Sequence, residues 1–190
     1  MTPDDRRFDP KKRDMLVGPE RLERWNPTRL LPLAGLQAGQ SALDLGCGPG
    51  FWTLPMAAIV GINGQVIALD ASREMLDSLA AQSPPAHVRL LQGELPGIAL
   101  PDALVDFIWA AFIFHEVEPP APLAAEARRV LRPGHRLAVL EWRPDAATAT
   151  GPPRRHRLSP EQVRTCLIQA GFHEVHRIWQ DEDSYLASAY

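Results

Sequence analysis

The chain is short of several things at once. It has two cysteines in 190 residues, Cys47 and Cys166. That is too few for a disulfide framework or for a zinc site built from protein thiols alone. It has no excess of either charge: 20 Lys and Arg stand against 23 Asp and Glu, a formal net charge of -3. That balance leaves no global footprint for nucleic acid. It has no long apolar run; the longest, FIWAAFIF at residues 107–114, falls far below the ~20 residues of a membrane helix. The opening stretch MTPDDRRFDPKKRD is charged and lacks the apolar core of a secretory signal. The expectation is a soluble, cytoplasmic chain without a membrane segment, of a length that suits one domain with one core. Proline is the exception to this scarcity. There are 19 prolines, roughly twice the ordinary usage of ~5%, scattered through loops rather than massed in a block.

What is present is a regular succession of short apolar runs. Strand-like segments at residues 41–45, 65–70, 87–93, 105–114 and 136–142 alternate with helix-like segments at 51–60, 72–82, 122–131 and 159–172, and two more strand candidates, 174–179 and 184–190, close the chain. Several ends carry chemical punctuation. Ser72 and Ser159 stand where N-caps belong, Pro160 occupies a first helical position, and Pro133-Gly134 and Gly171 stop helices. Strands alternating with helices predict an α/β protein whose mostly parallel sheet is covered on both faces. No internal repeat is visible. The loop at 143–158 leaves the carboxyl end of the fifth strand, where open α/β sheets place their ligands.

The most specific stretch is SALDLGCGPGFW, residues 41–52. A strand runs into Gly46, Gly48 and Gly50, with Asp44 two residues ahead. Dinucleotide loops use G-x-G-x-x-G and hold a pyrophosphate on a helix N-terminus. The glycines here are spaced two and two, and a carboxylate at Asp44 would repel a pyrophosphate. It suits a cationic ligand. S-adenosylmethionine carries a sulfonium and an ammonium and no phosphate. Asp70, at the end of the second strand, stands where an acid accepts hydrogen bonds from ribose hydroxyls; its plainer use is to cap the next helix.

DLGCGPG, then ALDAS, then GELPGIALPDALVDFIWAAFIFHEVE, then RVLRPGHRLAVLEW resemble, in order, the class I S-adenosylmethionine-dependent methyltransferases. They are most similar to the small-molecule group related to the ubiquinone-biosynthesis enzymes. The likeness is strong over residues 36–142. It implies a Rossmann-like three-layer sandwich with a mostly parallel seven-stranded sheet whose last strand is antiparallel. It implies S-adenosylmethionine as cofactor, S-adenosylhomocysteine as product, and no metal. Carried over residue by residue, it assigns Asp44, Gly46, Cys47, Gly48 and Gly50 to the methionine part, and Asp70 with Ala71 to the ribose. Met75, Gly93, Glu94 and Leu95 fall to the adenine, and Ala110 and Phe112 to the sulfonium side. Met75, an apolar residue in an amphipathic helix, reads more readily as helix core, Glu94 stands where the family more often has Asp, and His135 replaces the family's second glycine in RPGG.

On the acceptor side, methyl transfer needs mostly proximity and alignment, and a base only when the acceptor keeps its proton. His115, just past strand four, is the candidate base, with Glu116 as its orienting group or as a contact for a cationic acceptor. Both are carried as catalytic candidates. Glu141 and Trp142 end strand five near the same pocket. The chain lacks the Asn/Asp-Pro-Pro-aromatic motif of many nucleobase N-methyltransferases, and its thiols do not form an arsenic site. Residues 1–35, with Phe8 and Trp25, read as an amino-terminal helical lid or extension, and 36–190 as the methyltransferase domain. The expected function is methyl transfer to a small-molecule acceptor. Two alternatives stay open: a catalytically silent binding module acting through a protein partner, and an RNA methyltransferase using Arg154, Arg155, His156 and Arg157. A homodimer is also left open.

Overall fold

The computed structural model describes residues 6, 8–147 and 150–190. Residues 1–5 and 7 of the expected extension, and 148–149 of the loop after strand five, lie outside the described residues. One sheet holds seven strands: β1 (Ser41–Leu45), β2 (Gln65–Asp70), β3 (Val88–Gln92), β4 (Val105–Ala111), β5 (Leu131–Trp142), β6 (His176–Gln180) and β7 (Ser184–Ala189), in the order β3-β2-β1-β4-β5-β7-β6. The first five pair in parallel, and β7 runs antiparallel to both β5 and β6. Among the described residues six α-helices accompany them: α1 (Pro19–Arg24), α2 (Pro27–Leu33), α3 (Thr53–Val60), α4 (Arg73–Ala80), α5 (Ala121–Val130) and α6 (Pro160–Gln169). The Rossmann-like three-layer sandwich with an antiparallel last strand is what forms.

Strand alternation divides the core. Leu43 and Leu45 of β1, Ile108 and Ala110 of β4, and Leu137 and Val139 of β5 pack against Leu123 and Ala127 of α5 and Val163 and Leu167 of α6. The alternate residues, Ala42, Phe107, Trp109, Ala138 and Leu140, pack against Leu30 and Leu31 of α2 and Met56 and Ala57 of α3. All five residues of β1 are buried, as expected for a central strand covered on both faces. Asp44 is therefore a carboxylate inside the sandwich, on the α3 face with Ala42.

Element boundaries follow local chemistry. Ser72 accepts from the Met75 amide at the start of α4. Ser159 and Gln162 form a reciprocal capping box on α6, whose first residue is Pro160. Two boundaries depart from the sequence reading. Strand four stops at Ala111 because Phe112 turns to φ +58, a left-handed conformation that no strand continues through; residues 112–114 thus lie beyond β4. Strand five begins at Leu131, directly after α5. Its pairing with β4 jumps from Val105↔Leu131 to Phe107↔Arg136, so the Pro133-Gly134 turn is looped out within the strand, with Gly134 at φ +76.

The chain builds β1, β2 and β3 outward in one direction, then returns to lay β4 on the other flank of β1. Strand order reverses between β1 and β4. At such a reversal the connections leaving the two carboxyl ends diverge and open a crevice. The glycine loop leaves β1 there, and residues 112–116 leave β4 there.

Candidate active site

The glycine loop is held from below by its neighbour. The amides of Gly46 and Cys47 both donate to the Leu69 carbonyl, at 2.9 Å. Gly46, Gly48 and Gly50 take φ values of +68, +53 and +96, a run of left-handed backbone that glycine adopts without penalty. The three differ in what they face. A Cβ on Gly46 would meet Ile113 at 2.7 Å, and one on Gly50 would meet Leu79 of α4 at 2.5 Å. Gly50 thus permits close packing of α4, while Gly46 lies against the segment after β4. Cys47 is buried with Ala68, Leu76 and Leu79. Burial and the neighbouring carboxylates of Asp44 and Asp70 push its thiol far up, so it is an inert core residue.

Asp44 is 1% exposed. Its Oδ2 accepts from the Thr53 hydroxyl at 2.6 Å, and its Oδ1 is buried with no hydrogen-bond partner. Burial pushes this carboxyl up to about 7; the Thr53 hydrogen bond pulls the other way, and Asp70 adds repulsion. Asp70 carries the crevice's second carboxylate. Its Oδ2 accepts from the Gly48 amide and its Oδ1 from the Ser72 amide, each at 2.8 Å. The side-chain cap of α4 is Ser72, so Asp70 is not the N-cap. It splints the glycine loop to the start of α4, and each oxygen keeps a lone pair for a further donor. Its carboxyl is also raised, first by burial.

Past β4, a 3-10 turn spans Phe114–Glu116. His115 is buried, at 4% exposure, and its Nδ1 lies 2.8 Å from Oε2 of the fully buried Glu141. The His115 amide also reaches Glu141 Oε1, at 3.2 Å. Burial alone would disfavour the imidazolium. The charge and hydrogen bond of Glu141 more than offset this, and His115 is raised above its ordinary value. With Nδ1–H directed at a carboxylate, Nε2 is the ring nitrogen left with a lone pair. The partner that orients His115 is therefore Glu141. Glu116 instead accepts from the Phe8 amide at 3.1 Å, and burial raises its carboxyl to about 7, with His115 opposing.

The amino-terminal segment crosses this crevice. Arg6 reaches the His115 carbonyl at 3.4 Å and pairs with Glu118 at 2.9 Å. Phe8 meets Glu116, Arg13 pairs with Glu74 of α4, and Leu16 lies beside Gly48. Further along, Trp25 donates its indole N–H to Ser184 at 2.8 Å, and Arg24 pairs with Asp181 and Asp183. Phe112, Trp25 and Trp142 form a ring cluster with centroids 4.7–5.2 Å apart.

The other sequence candidates fall in more ordinary places. Ala110 is fully buried on the α5–α6 face. Met75 is buried within α4, Ala71 is half-buried, and Glu94 is exposed. Gly93 donates to the Asp70 carbonyl at 3.1 Å, and Leu95 packs at the edge of the main core. The basic run after β5 is divided: Arg154 and Arg155 are exposed, and His156 and Arg157 are buried. Arg157 is 5% exposed and donates to the carbonyls of Pro152, Arg143 and Thr150, while Arg154 donates to that of Ala146. These bonds close the loop on itself and occupy two of the cations an RNA would need. Sequence reasoning missed Arg21, described below, and the pairing of His115 with Glu141. The second had a faint signal, an acid placed inside the apolar run AVLEW.

The fold, the strand-order reversal and an acidic glycine crevice define a class I S-adenosylmethionine-dependent methyltransferase architecture. Residues 43–139 match the methyltransferase domain family; the chain belongs to it, within the group related to the ubiquinone-biosynthesis methyltransferases. A solved S-adenosylmethionine-dependent methyltransferase from Aquifex aeolicus superposes with a TM-score of 0.88 at 34% identity, covering 96% of this chain and 98% of that one. The ubiquinone/menaquinone biosynthesis C-methyltransferase UbiE of a Marinomonas species is 36% identical over 113 residues, 57% of this chain and 45% of its own length. A Geobacillus demethylmenaquinone methyltransferase is 33% identical over 109 residues, 56% of this chain and 47% of its own. The matched region spans about half the length of these curated relatives. Among the described residues, no helix is long and apolar enough to cross a membrane.

Proposed function

We propose that the chain transfers a methyl group from S-adenosylmethionine to a small-molecule acceptor. The observation that carries this reading is the unpartnered, buried Oδ1 of Asp44 beside the glycine loop. A buried carboxylate oxygen without a donor is costly, and a bound cation offsets that cost. The residues present fit the cofactor: Asp44 for its cationic methionyl end, the Gly46–Gly48 backbone for close approach, and the free lone pairs of Asp70 for ribose hydroxyls. When bound, the cofactor supplies an activated methyl on a sulfonium.

The chain's own residues then hold, align and exclude water. Phe112 and Ile113 leave β4 beside the glycine loop, and the segment from Phe8 to Leu16 acts as a lid over the crevice. His115, with Nδ1 held by Glu141, presents Nε2 to take a proton from an acceptor that still carries one. Glu141 is a positioning residue in this scheme. Calorimetry tests the cofactor: S-adenosylhomocysteine should bind and NAD should not, and the reverse result would sink the reading. A labelled-methyl screen of a metabolite extract then identifies the acceptor.

A further inference from the structure

Most arginines around the crevice have an acid or a set of carbonyls as partner: Arg6 has Glu118, Arg13 has Glu74, Arg24 has Asp181 and Asp183, and Arg157 has three carbonyls. Arg21, in α1, is different. Among the described residues its side chain makes no ion pair and donates no hydrogen bond, and its Nε is fully buried with no partner. Its guanidinium carbon sits 5.0 Å from the Trp25 ring, 5.0 Å from that of Phe51 and 5.3 Å from that of Phe112. Burial lowers its pKa to about 10.

Ring faces compensate a cation only in part. A guanidinium beside three of them still has its buried Nε–H without an acceptor. The three rings belong to the elements that border the crevice: Phe51 directly follows the last loop glycine, Phe112 directly follows β4, and Trp25 ends α1. The residue as a whole remains half-buried, so the site stays reachable from outside. The inner crevice, with Asp44, Asp70 and Glu116, is acidic. Arg21 is thus, among the described residues, an unpaired cation on the wall of an acidic cleft, the arrangement that reads an anionic group at one end of a ligand.

We infer that Arg21 recognises the methyl acceptor through a carboxylate carried on a flat apolar ring, with the ring against the half-buried Phe51. This rests on the methyltransferase reading and adds a substrate class to it. A planar guanidinium takes a carboxylate through two parallel N–H···O bonds, which would satisfy the donors now left over.

The probes are benzoate and its neutral isostere benzamide, titrated by calorimetry into the full chain with and without saturating S-adenosylhomocysteine. Wild type should bind benzoate at least ~10-fold more tightly than benzamide, about 1.4 kcal/mol of preference. Arg21→Gln should erase that preference while leaving S-adenosylhomocysteine affinity nearly unchanged, and Arg21→Lys should retain part of it. Equal or undetectable affinity of wild type for the two probes overturns the inference, and that comparison needs no variant to fold. A preference that survives Arg21→Gln also overturns it. If benzoate is preferred but S-adenosylhomocysteine does not bind, the anion site stands and the cofactor reading fails.

Discussion

Asp44 and Asp70 carry the same carboxylate into different parts. Asp70 already accepts two backbone amides, so Asp70→Ala removes the splint of the glycine loop as well as any ribose contact. Hydrogen bonds to a charged group are worth roughly 1.5–3 kcal/mol. Affinity for S-adenosylhomocysteine should therefore fall ~10- to 100-fold by calorimetry, with a lowered melting temperature reporting the lost splint. An unchanged affinity would remove Asp70 from the cofactor site. His115 is tested through its partner. Because its pKa is raised, the free base forms only above that raised value, and turnover should climb as pH rises through it. Glu141→Gln removes the two largest contributions that raise His115 and leaves burial, which lowers it, with only the lesser pull of Glu116 still raising it. The inflection in kcat should move to lower pH even as kcat itself falls, and His115→Ala should lose ~100-fold or more. An inflection that stays put in Glu141→Gln assigns it to some other group.

Among the elements, the amino-terminal segment and α6 make opposite predictions. The segment from Phe8 to Leu16 is tied down by few bonds, one of them the exposed Arg13–Glu74 pair, and such pairs are worth only ~0–1 kcal/mol. Its amides should exchange quickly in the ligand-free chain and slow when S-adenosylhomocysteine is bound; exchange indifferent to the ligand would mean the segment is no lid. Helix α6 lies away from the crevice and is closed by the Ser159–Gln162 capping box. Ser159→Ala should lower stability by about 1 kcal/mol in urea titrations, with methyl transfer unchanged.

For the molecule as a whole, the crevice groups make stability and binding depend on pH. Asp44 and Glu116 are raised from their ordinary values to about 7. Between about 4 and 7 the folded chain therefore holds more protons than the unfolded one, and stability falls as pH rises through that window. His115, also raised, acts in the same direction just above its ordinary value. A ligand carrying an ammonium favours the ionised carboxylates, so it should bind with proton release near pH 6 and stabilise the chain more at pH 8 than at pH 5. Calorimetry in buffers of differing ionisation enthalpy measures the proton count; a count of zero would show that neither carboxylate meets the ligand's charge.

What the sequence determined by itself is what short-range chemistry writes: the alternation of strand and helix, the caps at Ser72 and Ser159, and a left-handed glycine run after the first strand with an acid ahead of it. These depend on neighbours a few residues apart, through side-chain period, backbone freedom and capping hydrogen bonds. Tertiary structure decided which groups meet. Glu141 reaches His115 across 26 residues because the parallel register sets Ala111 beside Leu140 and the chain turns at Phe112. The same folding back places the Phe8 amide on Glu116, puts Leu79 against Gly50 and leaves Arg21 against Phe51 and Phe112 without an acid. None of these pairings is a local property. Each follows from strand order, strand register and the path of a crossing segment, which settle only when the whole core packs.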